Sequence, residues 1–314
     1  MSIMQGMLLA LLLLLLSLWL FSRFIAWRAQ LASPPEGRFV RVMGHQLHYV
    51  EAGQGPAIVL IHGLSGVSRH FTYSLLDELA RTHRVIALDR PGSGYSRRNP
   101  RSFAGLDVQA DVVAAFCQAL SLDKPLLVGH SLGGAVALAT ALRHPQLTRG
   151  LALIAPLICM PQSTPKVFAA LNISQPWLRR LIANTVAVPL MLLQREKVLK
   201  MVFDPEPVPA DYAQRGGGTL SLRPSHFLAA AEDLGALASR MPQLQAAYAG
   251  LSVPLAILYG RQDRILDPAE QTQTVLECLP QTTLELIDGG HMLPLTQPQH
   301  CLAFILRHDQ KGTF

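Results

Sequence analysis

The chain has 314 residues, 50% hydrophobic and only 15% charged, so a large apolar core can form without a metal or disulfide to support it. Its formal net charge is +6, but the lysines and arginines are scattered and form no run of five or six, which argues against a nucleic-acid partner. Cys117, Cys159, Cys278 and Cys301 lie far apart without Cys-x-x-Cys spacing, so neither a zinc site nor a disulfide framework is indicated, and Cys117 reads as a buried helix residue.

Ile3 to Phe21 carry no charge and include six consecutive leucines, Leu11 to Leu16. About 20 apolar residues are enough to cross a bilayer as a helix. The rival is a cleaved secretory signal, which needs a basic residue before the apolar run and a small-residue cleavage site after it. Met1 to Met7 contain no Lys or Arg, and Ser22 to Ser33 contain no such site, so an uncleaved single-pass anchor is expected. A hydrophobic stretch docked on the folded body is the plainer alternative. Trp19 and Trp27 suit the membrane interface, and Arg23 and Arg28 after the span place the body in the cytoplasm by the positive-inside rule.

Ser33-Pro34-Pro35-Glu36-Gly37 reads as a linker. Phe39–Val42 and Gln46–Val50 alternate around Met43-Gly44-His45, the pattern of a hairpin. Ala57–Ile61, Val85–Leu88 and Leu126–Val128 are continuous apolar runs, as in strands buried on both faces. Helical patterns separate them at about 71–80 and 106–120. Leu151–Ile154, Leu255–Leu258 and Leu284–Ile287 read as later strands. Strands alternating with helices predict a mostly parallel α/β sheet opened by an antiparallel hairpin. The alternation lapses between about Cys159 and Gly250, where a helical pattern is broken at Pro176, Pro189 and Pro205 and by a Gly216-Gly217-Gly218 turn. That segment predicts a helical cap over the carboxyl ends of the strands, where open α/β sheets bind ligands. The expected organisation is 1–32 anchor and linker, 33–158 first part of the core, 159–250 cap, and 251–314 second part of the core.

The chemistry centres on Leu126-Leu127-Val128-Gly129-His130-Ser131-Leu132-Gly133-Gly134. A buried strand, Gly-x-Ser-x-Gly and a small-residue helix form the context of a nucleophile elbow. Gly129 and Gly133 leave room where a Cβ would collide, and the Ser131 hydroxyl is pushed out at the sheet edge above a helix N-terminus. His62-Gly63-Leu64 follows an earlier strand. Its turn can present the Leu64 N–H as one oxyanion donor, with the Leu132 N–H as the other. His62 itself is expected to brace the loop. Asp263 follows the strand ending at Tyr259-Gly260. Its competitor Asp267 precedes Pro268 and, three positions on, Glu270, which is the pattern of a helix N-cap. An acid after the earlier strand Leu151–Ile154 is disfavoured, because Ser131 to Phe203 hold a single carboxylate, Glu196. His291 lies in a glycine loop after the last strand, whereas His300 and His308 fall in a final helical pattern. A serine hydroxyl needs a base to take its proton, and the base needs a carboxylate to hold its tautomer.

These motifs together resemble the α/β-hydrolase family, in its capped branch of esterases and lipases. The resemblance runs from about Arg38 to Leu306. It is carried by His62-Gly63, Asp89-Arg90-Pro91-Gly92-Ser93-Gly94-Tyr95-Ser96, Gly129-His130-Ser131-Leu132-Gly133-Gly134, Gly260-Arg261-Gln262-Asp263 and Gly289-Gly290-His291. It implies an α/β-hydrolase sheet with helices on both faces and an inserted cap, here preceded by a transmembrane helix. The glycines of Asp89–Ser96 are expected to shape the pocket floor, without chemistry. The elbow carries serine, so dehalogenase and epoxide-hydrolase reactions, which use aspartate there, are disfavoured. Carbon–carbon hydrolases of ring-cleavage products share the serine and the cap. Leu222-Arg223-Pro224 and Ala229–Asp233 look like a cap return and do not separate the two.

The expectation is a membrane-anchored serine hydrolase acting on carboxylic esters through an acyl-enzyme, with no metal or organic cofactor. Ser131 is the nucleophile, His291 the base and Asp263 its orienting acid. A carbon–carbon hydrolase and a non-enzymatic tethered binding module are the alternatives. His130, Met191, Leu192 and Met292 are candidate pocket residues. Ile182–Leu193 is an apolar stretch between Arg179-Arg180 and Arg195/Lys197, and it reads either as cap packing or as the wall of an acyl pocket for lipid-like esters. Pro189 is expected to split it into two short helices.

Overall fold

The computed structural model of the protein describes residues 2–161 and 166–310. The first element, α1 (Ile3–Ala32), is a single 30-residue helix that runs past Phe21. It opens on a capping box: Ser2 Oγ accepts from the Gln5 N–H, and the Gln5 side chain accepts from the Ser2 N–H. Its length and composition suffice to cross a membrane. Its bare leucines contrast with a buried stripe near its end, Ser22, Ala26 and Ala29, spaced so that one face of the helix is covered.

The expected linker after α1 is fastened down. Tyr95 donates its hydroxyl proton to the Ser33 carbonyl, and Arg69 Nη2 donates at 2.8 Å to both Pro34 O and Glu36 Oε1. Prolines lack an N–H, so the chain here offers mainly acceptors, and side chains of the body supply the donors.

The hairpin β1 (Arg38–Val42) and β2 (His45–Ala52) turns on Met43 and Gly44, both at positive φ, as a two-residue hairpin requires. Then follow β3 (Ala57–Ile61), two single turns α2 (Arg69–Thr72) and α3 (Leu76–Leu79), β4 (Arg84–Leu88), α4 (Leu106–Ala119), β5 (Leu126–His130), α5 (Leu132–Arg143) and β6 (Gly150–Ile154). The helical stretch expected at 71–80 is thus two separate turns. After a helical segment come β7 (Leu255–Gly260), α9 (Pro268–Cys278), β8 (Thr283–Ile287), α10 (Leu293–Thr296) and α11 (Pro298–Gln310). The eight strands form one sheet in the order β1-β2-β4-β3-β5-β6-β7-β8, antiparallel as far as β4 and parallel from there on.

Both faces of the sheet are covered, and the strand period of two sorts the core into two layers. Val59, Ile61, Leu127 and Leu153 pack with α4 and α5, whereas Ile58, Leu60, Val128 and Ile154 pack with Phe71, Leu76 and the α11 residues Cys301 and Phe304. Cys117 is buried in α4, and all four cysteines are free.

Between β6 and β7 lie a 3₁₀ turn (Lys166–Leu171), α6 (Pro176–Asn184), α7 (Ala187–Phe203), a 3₁₀ turn (Leu220–Leu222) and α8 (Pro224–Ala246). Residues 162–165 of this segment and 311–314 at the end lie outside the described residues. The break expected at Pro189 falls instead at Thr185-Val186, and α7 continues as one 17-residue helix. Pro189 sits in the first turn of α7, where its missing N–H has no helical acceptor to lose. α1 packs here: Ser22 Oγ donates to the Thr185 carbonyl at 3.0 Å, and Ser33 Oγ to the Gln214 carbonyl at 3.2 Å.

Candidate active site

Ser131 joins β5 to α5 with φ 54 and ψ −123, a strained backbone for a residue with a Cβ. The turn is feasible because its flanks are glycine. A Cβ on Gly129 would stand 2.5 Å from the Gly133 carbonyl oxygen, and one on Gly133 would overlap the Ile61 carbonyl. The Ser131 hydroxyl makes no capping bond to α5, so it stays available. Leu132 is the first residue of α5, where a helix leaves its N–H groups without acceptors.

The loop after β3 lies against the elbow. A Cβ on Gly63 would stand 2.8 Å from Ser131 Cβ and 3.2 Å from its Oγ, so glycine is what lets the two loops meet. The Gly63 carbonyl accepts three hydrogen bonds: from His62 Nδ1 at 2.8 Å, Arg90 Nη2 at 3.0 Å and the Gly66 N–H at 3.2 Å. In a trans peptide the following N–H points opposite to the carbonyl. Fixing the Gly63 oxygen therefore fixes the direction of the Leu64 N–H, the expected oxyanion donor.

Both nitrogens of His62 are engaged, Nδ1 donating to Gly63 and Nε2 accepting from the Arg90 N–H at 2.9 Å. Burial, helped by the Arg90 charge, pushes its pKa well below the usual histidine value, so it stays neutral. Arg90 was invisible to sequence reasoning as a site residue. Its guanidinium is fully buried and also donates to His62 O at 2.9 Å, Gln109 Oε1 at 2.6 Å and Asp233 Oδ2 at 2.7 Å. The available signal was an arginine two positions past the apolar strand Val85–Leu88, behind Asp89.

Asp89–Ser96 does not form the expected pocket floor. The Asp89 carboxylate accepts from the Ser68 N–H, His48 Nδ1 and the Tyr95 N–H, and a Cβ on Gly94 would run into it. Burial alone would raise the Asp89 pKa, but the His48 hydrogen bond and charge outweigh it and hold the carboxyl below its usual range. Gly94 thus makes room for this internal knot, and Gly92 for Ala229 of α8, where a Cβ would stand 2.8 Å from the Ala229 Cβ; neither lines the cavity.

Asp263 and His291 are buried together. Asp263 Oδ2 accepts from His291 Nδ1 at 2.7 Å, and its Oδ1 is held by the N–H groups of Ile265 at 2.8 Å and Leu266 at 2.9 Å. Asp267 is occupied elsewhere, capping α9 by accepting from the Glu270 N–H at 2.9 Å. The His291 loop is tied by Gly289 N–H to Gln262 Oε1 at 2.6 Å and by Gly290 N–H to Glu206 Oε2 at 3.0 Å. His130 Nε2 donates to the His291 carbonyl at 2.9 Å. Burial depresses the His130 pKa, so its ring is a neutral strut.

Ser131 and His291 open into one cavity of about 560 Å³, bounded also by Leu64, His130, Met191 and Met292. Such a volume, mostly apolar with a few polar groups converging, is typical of a small-molecule site. From α7 the lining includes Leu190, Met191, Gln194 and Val198. Leu192 is a correction. One residue along a helix turns about 100°, so Leu192 leaves the cavity and faces a separate groove with Leu193 and Glu196. His70 also lines the cavity, and burial pushes its pKa down to about 4.

Known proteins are similar to this chain in sequence and in fold. The chain is 30% identical over 252 residues to the magnesium-chelatase 30 kDa subunit of Rhodobacter capsulatus, covering 76% of this chain and 81% of that protein. It is 38% identical over 124 residues to a 2-hydroxymuconate semialdehyde hydrolase of Pseudomonas, covering 39% of this chain and 44% of that protein. Its fold is similar to that of a membrane phospholipase A described as a bacterial virulence factor, with a TM-score of 0.71 and 24% identity over 96% of this chain and 98% of that one. The sequence profile of the alpha/beta hydrolase fold matches residues 56–298, and with that match the chain belongs to the α/β-hydrolase family.

Proposed function

We propose that this hydrolase is a membrane-anchored serine esterase acting on lipid-like carboxylic esters. The observation that carries the reading is the buried Asp263–His291 pair, 2.7 Å apart, opening into the same apolar cavity as Ser131 on its strained turn. In this reading His291 takes the Ser131 proton as Oγ attacks the acyl carbonyl, and the oxyanion forms toward the N–H groups of Leu64 and Leu132. His291 then protonates the leaving alcohol. A water activated by the same imidazole releases the acid and frees Ser131. Asp263 holds Nδ1 protonated throughout and keeps Nε2 free to act. In an unliganded site the serine–histidine bond is commonly long and tightens with substrate. The mechanism calls for no metal or organic cofactor. Residues 1–32 act as anchor and 159–250 as cap.

The decisive experiment pairs a fluorophosphonate probe with a panel of p-nitrophenyl esters of increasing chain length, run beside a ring-cleavage product. Ser131→Ala should abolish labelling and lower turnover by several orders of magnitude with the fold intact. Turnover close to the parent protein would remove Ser131 from the mechanism. Carbon–carbon hydrolysis is the second reading, favoured by the partial identity to the semialdehyde hydrolase. It prevails if the ring-cleavage product is turned over and the esters are not.

A further inference from the structure

The apolar run of α1 ends at Phe21, and the next residue, Ser22, is bonded to the Thr185 carbonyl at the junction of α6 and α7. A helix rises only 1.5 Å per residue. With Ile3–Phe21 in the bilayer, the α6–α7 junction therefore stands at headgroup height. The contact is fixed, because Ser22, Ala26 and Ala29 are all buried against the body.

The same two helices carry large apolar side chains that no protein covers. Trp177 is 67% exposed and Leu181 41%, one turn apart on α6; Leu190 is 49% exposed and Leu193 82%, one turn apart on α7. Exposed cations accompany them: Arg180 on α6, Arg195, Lys197 and Lys200 on α7, and Arg23 and Arg28 on α1. Glu196 is the single acid on α6 and α7. A tryptophan-bearing apolar face beside cations is the chemistry that lies in the headgroup–acyl boundary of an anionic leaflet. The inner side of these helices, through Ile182 and Met191, lines the Ser131 cavity together with Val186 at their junction, and Leu190 belongs to both sides.

We infer that the outer face of α6 and α7 is immersed in the boundary of an anionic bilayer, and that ester substrates pass from the lipid phase between these helices into the Ser131 cavity. The inference rests on the anchored-esterase reading and assigns its substrate route.

Depth is tested without turnover. Trp19→Phe and Trp27→Phe leave Trp177 as the single tryptophan of the full chain, which has three. This protein is placed in phosphatidylcholine–phosphatidylglycerol vesicles whose acyl chains are brominated near the headgroup. Trp177 emission should be quenched relative to unbrominated vesicles. Equal emission in both overturns the immersion, and a cross-linked dimer in those vesicles would show that a second copy covers the face instead. The route is tested with Trp177→Glu/Leu193→Glu, both side chains being exposed. Hydrolysis of a long-chain ester presented in anionic vesicles should fall by roughly tenfold or more, because two apolar side chains leave the interface and two like charges face the lipid, while p-nitrophenyl acetate turnover in solution stays unchanged. Equal losses on both substrates overturn the route. Quenching that persists in a protein inactive on every ester would leave the surface standing and remove the esterase reading.

Discussion

Single side chains divide the labour of the candidate site sharply. Asp263 and Asp267 are four residues apart, yet one binds the His291 ring and the other caps a helix. Asp263→Asn is expected to lower kcat by roughly 10³–10⁴, since it presents His291 with the wrong hydrogen-bond partner, while Asp267→Asn should cost at most about 1 kcal/mol of stability. Ester kinetics beside thermal melts read both, and a larger catalytic loss at Asp267 with unchanged stability would reverse the assignment. Arg90 acts at one remove. It holds the Gly63 carbonyl and hence the direction of the Leu64 N–H, and it ties both to Asp233 on α8. Arg90→Lys keeps the charge facing Asp233 but loses the fork. An oxyanion donor contributes about 3 kcal/mol, so misdirecting one should lower kcat by roughly 10- to 100-fold with little change in KM. A lower melting temperature at unchanged kcat would mean that Arg90 is a strut alone.

Elements set what the cavity receives. α7 presents Leu190, Met191, Gln194 and Val198 inward because its first turn begins at Ala187, and this register turns Leu192 away. Met191→Asp should therefore impair long-chain esters far more than acetate esters, whereas Leu192→Asp should leave the ratio of the two near its parent value. A comparable loss of chain-length preference at both positions, measured as kcat/KM across the ester series, would contradict this register. The Ile182–Leu193 stretch divides between packing and cavity lining. Ala183, Ala187 and Val188 are buried, while Ile182, Leu190 and Met191 reach the cavity.

The whole molecule carries a pH signature. His70 and His226 are both pushed down to about 4, chiefly by burial, from an ordinary value of 6.5. Between those values the unfolded chain binds protons that the folded chain refuses, so stability rises with pH through this interval. Their contribution is complete above about pH 6.5 and is lost as pH falls toward about 4. The melting temperature should fall steadily across that interval, and less steeply in His70→Gln. Asp89 adds its own loss only at lower pH, below its unfolded value of 3.8, because its carboxyl is held ionised in the fold. A flat melting temperature from pH 7 to pH 4 would contradict the burial account.

What the sequence determined alone is local. Gly129, Ser131 and Gly133 announce a tight strand-to-helix turn because steric demands of a few consecutive residues create it. Asp267 announces a cap because Pro268 and Glu270 stand beside it, and continuous β-branched and leucine runs announce strands covered on both faces. Tertiary structure decided whatever joins residues far apart in the chain. Ser22 meets Thr185 across 163 positions, and Arg90 meets Asp233 across 143. Neither pair has a periodic or neighbouring signal, since one bond uses a backbone carbonyl that every residue possesses and the other pairs charges found throughout the chain. The register of α7 and the fastening of Ser33–Glu36 are of the same kind. The apolar character of α7 and the proline linker were legible, but the direction each side chain faces follows from where a helix starts and what packs beside it, which only the folded chain supplies.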